Sequence, residues 1–237
     1  MKIKIFLDGA DRGSMVESLT NPMISGFTTN PSLMKKAGIK DYPSFCKEIL
    51  AQMGSKPISF EVFADDFAEM KRQAKEIHSW EKPGNQLYVK IPITNSKGES
   101  SIPLIRELSQ SGVRINITAL FTTHQVLETC HAVKGGAPSI VSVFAGRIAD
   151  AGIDPMPIMR ESAEMCAKAG DHVELLWAST REAFNIIQAE LAGCKIITAP
   201  FDLVKKAASF GKKTLDQWSL DTVQTFKSYA ESAGFKL

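Results

Sequence analysis

The sequence predicts a (β/α)8 barrel. Eight short apolar runs rich in β-branched and aromatic residues alternate along the chain with longer amphipathic stretches. That is the pattern of parallel strands wrapped by helices. Several of the amphipathic stretches stop at a glycine, as helices do. The 237 residues suffice for one large domain. No linker or low-complexity segment divides them, so residues 1–237 are read as a single barrel domain with a C-terminal helical extension over about 212–237. The competing architecture is a doubly wound open sheet. It would usually carry a Gly-rich phosphate turn after an early strand, and no G-x-G-x-x-G or Walker pattern is present.

The elements follow in order. The first expected strand, Ile3–Asp8, ends in a carboxylate. The second, Ile24–Thr28, runs into Thr29-Asn30-Pro31. The third, Ile58–Phe63, carries Glu61 and precedes a helical pattern over Asp65–Trp80, where Phe67, Met70, Ala74 and Ile77 recur at helical spacing. The fourth, Leu87–Ile91, carries Lys90, and Ser101–Ser109 follows as a helix. The fifth, Arg114–Thr118, ends in Asn116-Ile117-Thr118 and leads to a helix over Thr122–Val133. The sixth, Ser139–Phe144, holds Ser142, with Arg147 beyond it and a helix over Pro157–Ala169. The seventh, Val173–Ala178, is followed by Ser179 and by a helix over Arg181–Leu191; the eighth is Lys195–Thr198. Gly38, Gly54, Gly112, Gly170 and Gly193 are the expected helix stops. Two more helical stretches follow. The last, roughly Ser219–Ala233, sets Val223, Phe226 and Tyr229–Ala230 on one face, after Trp218. The barrel is complete by then, so this helix must cover its own barrel or a neighbour's.

Composition narrows the function. The chain is 44% hydrophobic and 23% charged, with a net charge of +2. Neither nucleic acid nor an anionic membrane is expected as a partner, while a local basic site for a phosphate stays open. No apolar stretch is long enough to span a bilayer. The opening segment Met1–Asp8 is not expected to be a signal peptide, because its apolar run is short and ends at a carboxylate. Cys46, Cys130, Cys166 and Cys194 are widely scattered and read as buried free thiols of a cytoplasmic protein. His78, His124, His131 and His172 lack ligand spacing, so neither a metal nor another cofactor is expected.

The chemistry centres on Lys90. In Gln86-Leu-Tyr-Val-Lys-Ile-Pro-Ile-Thr94 one ammonium interrupts a strand that reads as buried. Desolvation favours the neutral amine, a nucleophile that forms Schiff bases with carbonyl compounds. The alternative is an edge lysine with its head in water. In a barrel, chemistry lies at the C-terminal strand ends. There stand Asp8, Thr29, Asn30, Glu61, Lys90, Asn116, Thr118, Ser142, Phe144, Arg147, Ser179 and Arg181. Singly, each has an ordinary explanation. Asp8 suits a helix cap, Asn30 a turn, and Arg181 a solvated first helical turn. Thr20-Asn21-Pro22 repeats the Thr-Asn-Pro tripeptide in an ordinary connector. Together, two carboxylates, a lysine, hydroxyls and two arginines suit a Schiff-base aldol site for a phosphorylated sugar.

These segments resemble the transaldolase family, in its short single-barrel subfamily that also includes fructose-6-phosphate aldolases. The matching pieces are Phe6-Leu-Asp8, Gly26-Phe-Thr-Thr-Asn-Pro-Ser-Leu33, Glu61-Val62, Val89-Lys-Ile-Pro-Ile-Thr94, Asn116-Ile-Thr118, Ser142 with Phe144 and Gly146-Arg-Ile148, and Ala178-Ser179 with Arg181. They run in family order over strands one to seven. The resemblance implies that Lys90 forms the Schiff base with a ketose and that Asp8 moves the C4 hydroxyl proton. It implies that Glu61 and Thr118 hold a proton-shuttling water. Asn30 and Ser142 would bind the dihydroxyacetone unit, with Thr29, Asn116 and Ser179 beside them, and Arg147 and Arg181 would hold the phosphate. It also implies Glu and Phe in transaldolases where fructose-6-phosphate aldolases have Gln and Tyr. Here these are Glu61 and Phe144, which favours transfer over release of free dihydroxyacetone. The implied substrates are the sugar phosphates of the non-oxidative pentose phosphate pathway. The implied assembly is a homo-oligomer, of pentameric rings paired into decamers. A barrel that only binds a sugar phosphate is the reading from another class, and the set Asp8, Glu61 and Lys90 argues against it. The chain departs from the pattern at Gly9, Val143, Ala145, Trp177 and Thr180, which flank the substrate mouth.

Overall fold

The computed structural model describes residues 2–237; Met1, which begins the opening segment, lies outside them. Among the described residues, eight parallel strands close into one barrel in sequence order. The first half contains β1 (Lys4–Asp8), α1 (Arg12–Glu17), β2 (Ile24–Thr28), α2 (Pro31–Lys36), α3 (Tyr42–Gln52), β3 (Pro57–Glu61), α4 (Phe67–Ser79) and β4 (Gln86–Pro92). Next come α5 (Ile102–Gln110), β5 (Ile115–Leu120), α6 (Thr123–Val133), β6 (Ser139–Val143), α7 (Ala145–Asp150) and α8 (Pro155–Ala169). The chain finishes with β7 (Val173–Trp177), α9 (Asn185–Leu191), β8 (Ile196–Ala199), α10 (Phe201–Ala207) and α11 (Leu215–Ser232). Among the described residues no helix is long and apolar enough to cross a membrane.

Side chains alternate across each strand, so one set fills the barrel and the other packs against the helices. Phe6, Tyr88, Ile140, Leu176 and Ile196 form a small apolar cluster separate from the main core. Two residues further along the same strands stand Asp8, Lys90, Ser142, Ala178 and Thr198, all in the mouth. The polar ring therefore rests on an apolar floor. Beneath that floor the Lys4 and Glu174 side chains pair at 2.7 Å. Gly26 makes room for the Phe6 ring: a Cβ there would stand 2.7 Å from a ring carbon. Outside the barrel, Ile5, Leu7, Phe27, Ile58, Phe60, Val89, Ile91, Ile115 and Ile117 belong to the main core beneath the helices.

Several boundaries differ from the sequence reading, each for a local reason. The third strand stops at Glu61, because the Gln73 amide oxygen accepts from the N–H groups of Phe63 and Ala64 and turns the chain toward α4. The helix after β7 starts at Asn185 rather than Arg181. The Asn185 side-chain oxygen accepts from the Arg181 and Glu182 N–H groups and holds residues 181–184 as a turn. Asp154 caps α8 two residues earlier than expected, and a Thr214–Gln217 capping box starts α11 at Leu215 rather than Ser219. The cap of α1 is Asp11, so Asp8 is left free of that task. Trp177 is 1% exposed and packs in the main core, on the helix side of β7.

Candidate active site

The mouth is a cavity of about 220 Å³ at the C-terminal ends of the strands. Asp8, Asn30, Lys90, Asn116, Thr118, Ser142, Phe144, Arg147, Ser179 and Arg181 all line it. Glu61 and Thr29 do not; both stand behind Lys90. Thr28, Leu176, Thr180, Thr198 and Pro200 complete the wall.

Lys90 is 7% exposed, but it is not the unpaired ammonium the strand alone suggests. Glu61 lies directly across from it in the β3–β4 register, and their charged ends are 3.1 Å apart. Lys90 Nζ also donates to the Thr29 carbonyl at 2.9 Å. The Thr29 hydroxyl is turned away and donates to the Ser59 carbonyl at 2.9 Å. Tyr42 fixes the end of β3, donating its hydroxyl to the Glu61 carbonyl at 2.6 Å.

Asp8 faces Lys90 from β1. Burial pushes its carboxyl above the ordinary carboxylate range. The Lys90 ammonium and a hydrogen bond from Thr28 pull it back, and the Glu61 charge adds to the rise. Asn30 caps α2 by accepting from the Leu33 N–H at 2.9 Å, which leaves its amide hydrogens for the mouth. Asn116 is fully buried and fixed at both ends. It donates to the Ser59 hydroxyl at 3.0 Å and accepts from the Ser142 hydroxyl at 2.6 Å. The buried Thr118 hydroxyl has no partner among the described residues.

The rim carries the cations. Arg147 lies 5.3 Å over the Phe144 ring. Arg181 sits in a turn rather than a helix, and its Nε donates to both Asp150 oxygens at 3.0 Å. Its Nη2 also bonds Asp150. Asp150 thereby takes one edge of the guanidinium and leaves the other, with Nη1, free. The pairing holds the Asp150 carboxyl below its usual range. Two non-glycine residues adopt left-handed backbone here, Ala119 at φ 62° and Ser179 at φ 63°. Ala119 follows Thr118 within an irregularity of the β5–β6 pairing, and Ser179 lines the mouth. Such strain gathers at sites whose geometry the surroundings enforce.

Ser59, Asp150 and Thr198 escaped the sequence reading of the site, Thr28 had no role in it, and Thr180 stood there only as a residue flanking the mouth. Thr28 was on view inside Thr-Thr-Asn-Pro. Ser59 and Thr198 had the right strand phase, two residues before Glu61 and after Ile196. Nothing in the sequence joins Asp150 to Arg181.

The chain is similar to known proteins over most of its length. Residues 5–236 match the Transaldolase/Fructose-6-phosphate aldolase family. A probable transaldolase of Dehalococcoides mccartyi is 36% identical over 85% of this chain and 88% of its own length. One from Methanococcus maripaludis is 35% identical over 86% of this chain and 89% of its own length. A third, from an Anaeromyxobacter species, is 32% identical over 91% of this chain and 97% of its own length.

Proposed function

This chain belongs to the transaldolase/fructose-6-phosphate aldolase family, and on that premise we propose that it is a Schiff-base transaldolase. It moves a dihydroxyacetone unit from a ketose phosphate to an aldose phosphate. The observation that carries the reading is a buried lysine 3.1 Å from one carboxylate with a second carboxylate in the same mouth. Lys90 attacks the ketose carbonyl, and Glu61, with the unpartnered Thr118 hydroxyl, holds the water that carries protons during dehydration to the iminium. The iminium is an electron sink for breaking the C3–C4 bond. Asp8 takes the C4 hydroxyl proton as that bond breaks. Its raised proton affinity suits a group that must accept a proton and return it. The enamine then adds to the acceptor aldehyde, Asp8 protonates the new alkoxide, and hydrolysis frees Lys90.

Asn30, Ser142 and Asn116 bind the three-carbon unit, with Ser179 in the wall. Thr29 acts through its carbonyl on Lys90. Arg147 and the free edge of Arg181 take the phosphate. Transfer is favoured over release because Phe144 has no hydroxyl to protonate the enamine or bring water to it. The sugar phosphates of the non-oxidative pentose phosphate pathway are the substrate class. The buried thiols support a reducing, cytoplasmic setting.

Borohydride reduction in the presence of a ketose phosphate tests the nucleophile. Mass spectrometry is expected to find the adduct on Lys90 alone; an adduct elsewhere, or none, refutes the mechanism. Free dihydroxyacetone released without an acceptor tests the reaction type. Release should be slow in the wild type and faster in Phe144→Tyr. A wild type that releases as fast as it transfers is an aldolase.

A further inference from the structure

In the closed barrel β1 lies between β2 and β8. Each of those neighbours sends one threonine hydroxyl toward the end of β1. Thr28 of β2 is the register partner of Asp8, and Thr198 of β8 pairs with Phe6 two residues before it. Thr28 Oγ1 donates to Asp8 Oδ1 at 2.8 Å. The hydroxyls of Thr28 and Thr198 are hydrogen-bonded to each other. A hydroxyl has one proton to give. That of Thr28 goes to the carboxylate, so Thr198 is the donor to Thr28. Two protons are thus aimed in series at a single carboxylate. Both threonines are buried, at 2% and 6% exposure, and both line the mouth. Thr198 is held in turn from β7's loop, where the Thr180 hydroxyl donates to the Thr198 carbonyl at 2.6 Å.

We propose that Thr28 and Thr198 are positioning residues for Asp8, a two-hydroxyl relay that aims its carboxylate and favours the ionised form that accepts the substrate proton. The inference rests on the function proposed above. The relay keeps its own protons; the substrate proton goes to the Asp8 oxygen that Thr28 leaves free. Three other groups set the proton affinity of Asp8. Burial and the Glu61 charge from β3 raise it, and the Lys90 charge from β4 lowers it. The relay works with Lys90 and against burial. It also fixes which way Asp8 points, which a distant charge cannot do.

The test uses Thr28→Val, Thr28→Ser, Thr198→Val and the full-length wild type. Thr28→Val should still form the borohydride-trapped Lys90 adduct, because Lys90, Glu61 and Thr118 are untouched. Its kcat/KM should fall about tenfold near neutral pH, the worth of one hydrogen bond to a charged group. The sign comes from the chemistry. Asp8 must be ionised to act, and losing a donor disfavours the ionised form, so the acidic limb of the pH profile moves to higher pH. Thr198→Val should move it the same way by less, and Thr28→Ser should restore the wild-type limb. A wild-type limb in Thr28→Val, or a Thr28→Ser that behaves like Thr28→Val, overturns the relay. Carbon-13 titration of the Asp8 carboxyl reads the same displacement without turnover. If the wild type forms no adduct while that titration still shifts in Thr28→Val, the reaction assignment fails and the relay stands.

Discussion

The two carboxylates beside Lys90, Asp8 in the mouth and Glu61 behind the amine, meet it on different terms, which suits the separate tasks proposed for them. Glu61 touches the amine at 3.1 Å. Asp8 is bonded instead to Thr28 and acts on Lys90 through its charge. On the proposed mechanism Glu61 serves the making of the adduct and Asp8 the cleavage of the carbon–carbon bond. Glu61→Ala should slow the trapping of ketose phosphate by Lys90. Asp8→Ala should trap at close to the wild-type rate yet fail to cleave the trapped sugar. Each should cost on the order of a hundredfold or more in overall turnover. Single-turnover trapping read beside product release checks the split, and equal trapping defects in both variants would defeat it. Lysine and carboxylates were legible in the sequence because a charge inside an apolar run is conspicuous. The hydroxyl pairing was not. Threonine is ordinary in strands, and Thr28 and Thr198 meet only because the barrel closes over 170 residues of sequence.

At the scale of elements, short apolar runs, helical spacing and glycine stops were enough to read all eight strands and most helices. What they missed were ends governed by single side chains, such as the Asn185 oxygen that keeps residues 181–184 out of α9. The same missed turn brings Arg181 to Asp150 and places Ser179 against α7. The Ser179 carbonyl lies where a side chain on Gly146 would be: a Cβ there would fall 1.5 Å from it. Both partners are backbone, so neither can swing aside. Gly146→Ala should destabilise the protein by about 3 kcal/mol, a drop of roughly 6–12 °C in Tm for a chain of this size. It should also impair phosphorylated substrates more than unphosphorylated ones, because Arg147 is the next residue. A variant with an unchanged melt would mean that the β7 loop is free to move away.

At the scale of the whole molecule, α11 stands apart. None of its residues is buried. Trp218, Val223, Phe226 and Tyr229 are each more than half exposed, and a run of large apolar side chains left in water is the kind of surface that contacts between chains cover. We propose that a neighbouring copy covers it, in keeping with a homo-oligomer of ring-like form. Light scattering after size exclusion should give a mass several times the 25.9 kDa of one chain. Val223→Asp with Phe226→Asp should reduce that mass while leaving the barrel's circular dichroism intact. A wild type that runs as one chain would refute the proposal.

The seam where β8 meets β1 has a consequence for how the protein is made. Glu61 and Lys90 sit on neighbouring strands and can find each other as soon as the middle of the chain has been synthesised. Asp8 meets Thr28 early, but the second hydroxyl of its support, that of Thr198, arrives only when almost the whole polypeptide exists. Contacts of such sequence separation form late in folding. A half-made chain can therefore assemble the amine, its first carboxylate and the Asp8–Thr28 pair without the Thr198 hydroxyl that completes the proposed relay. Turnover regained during refolding is a clock for closure of the barrel itself.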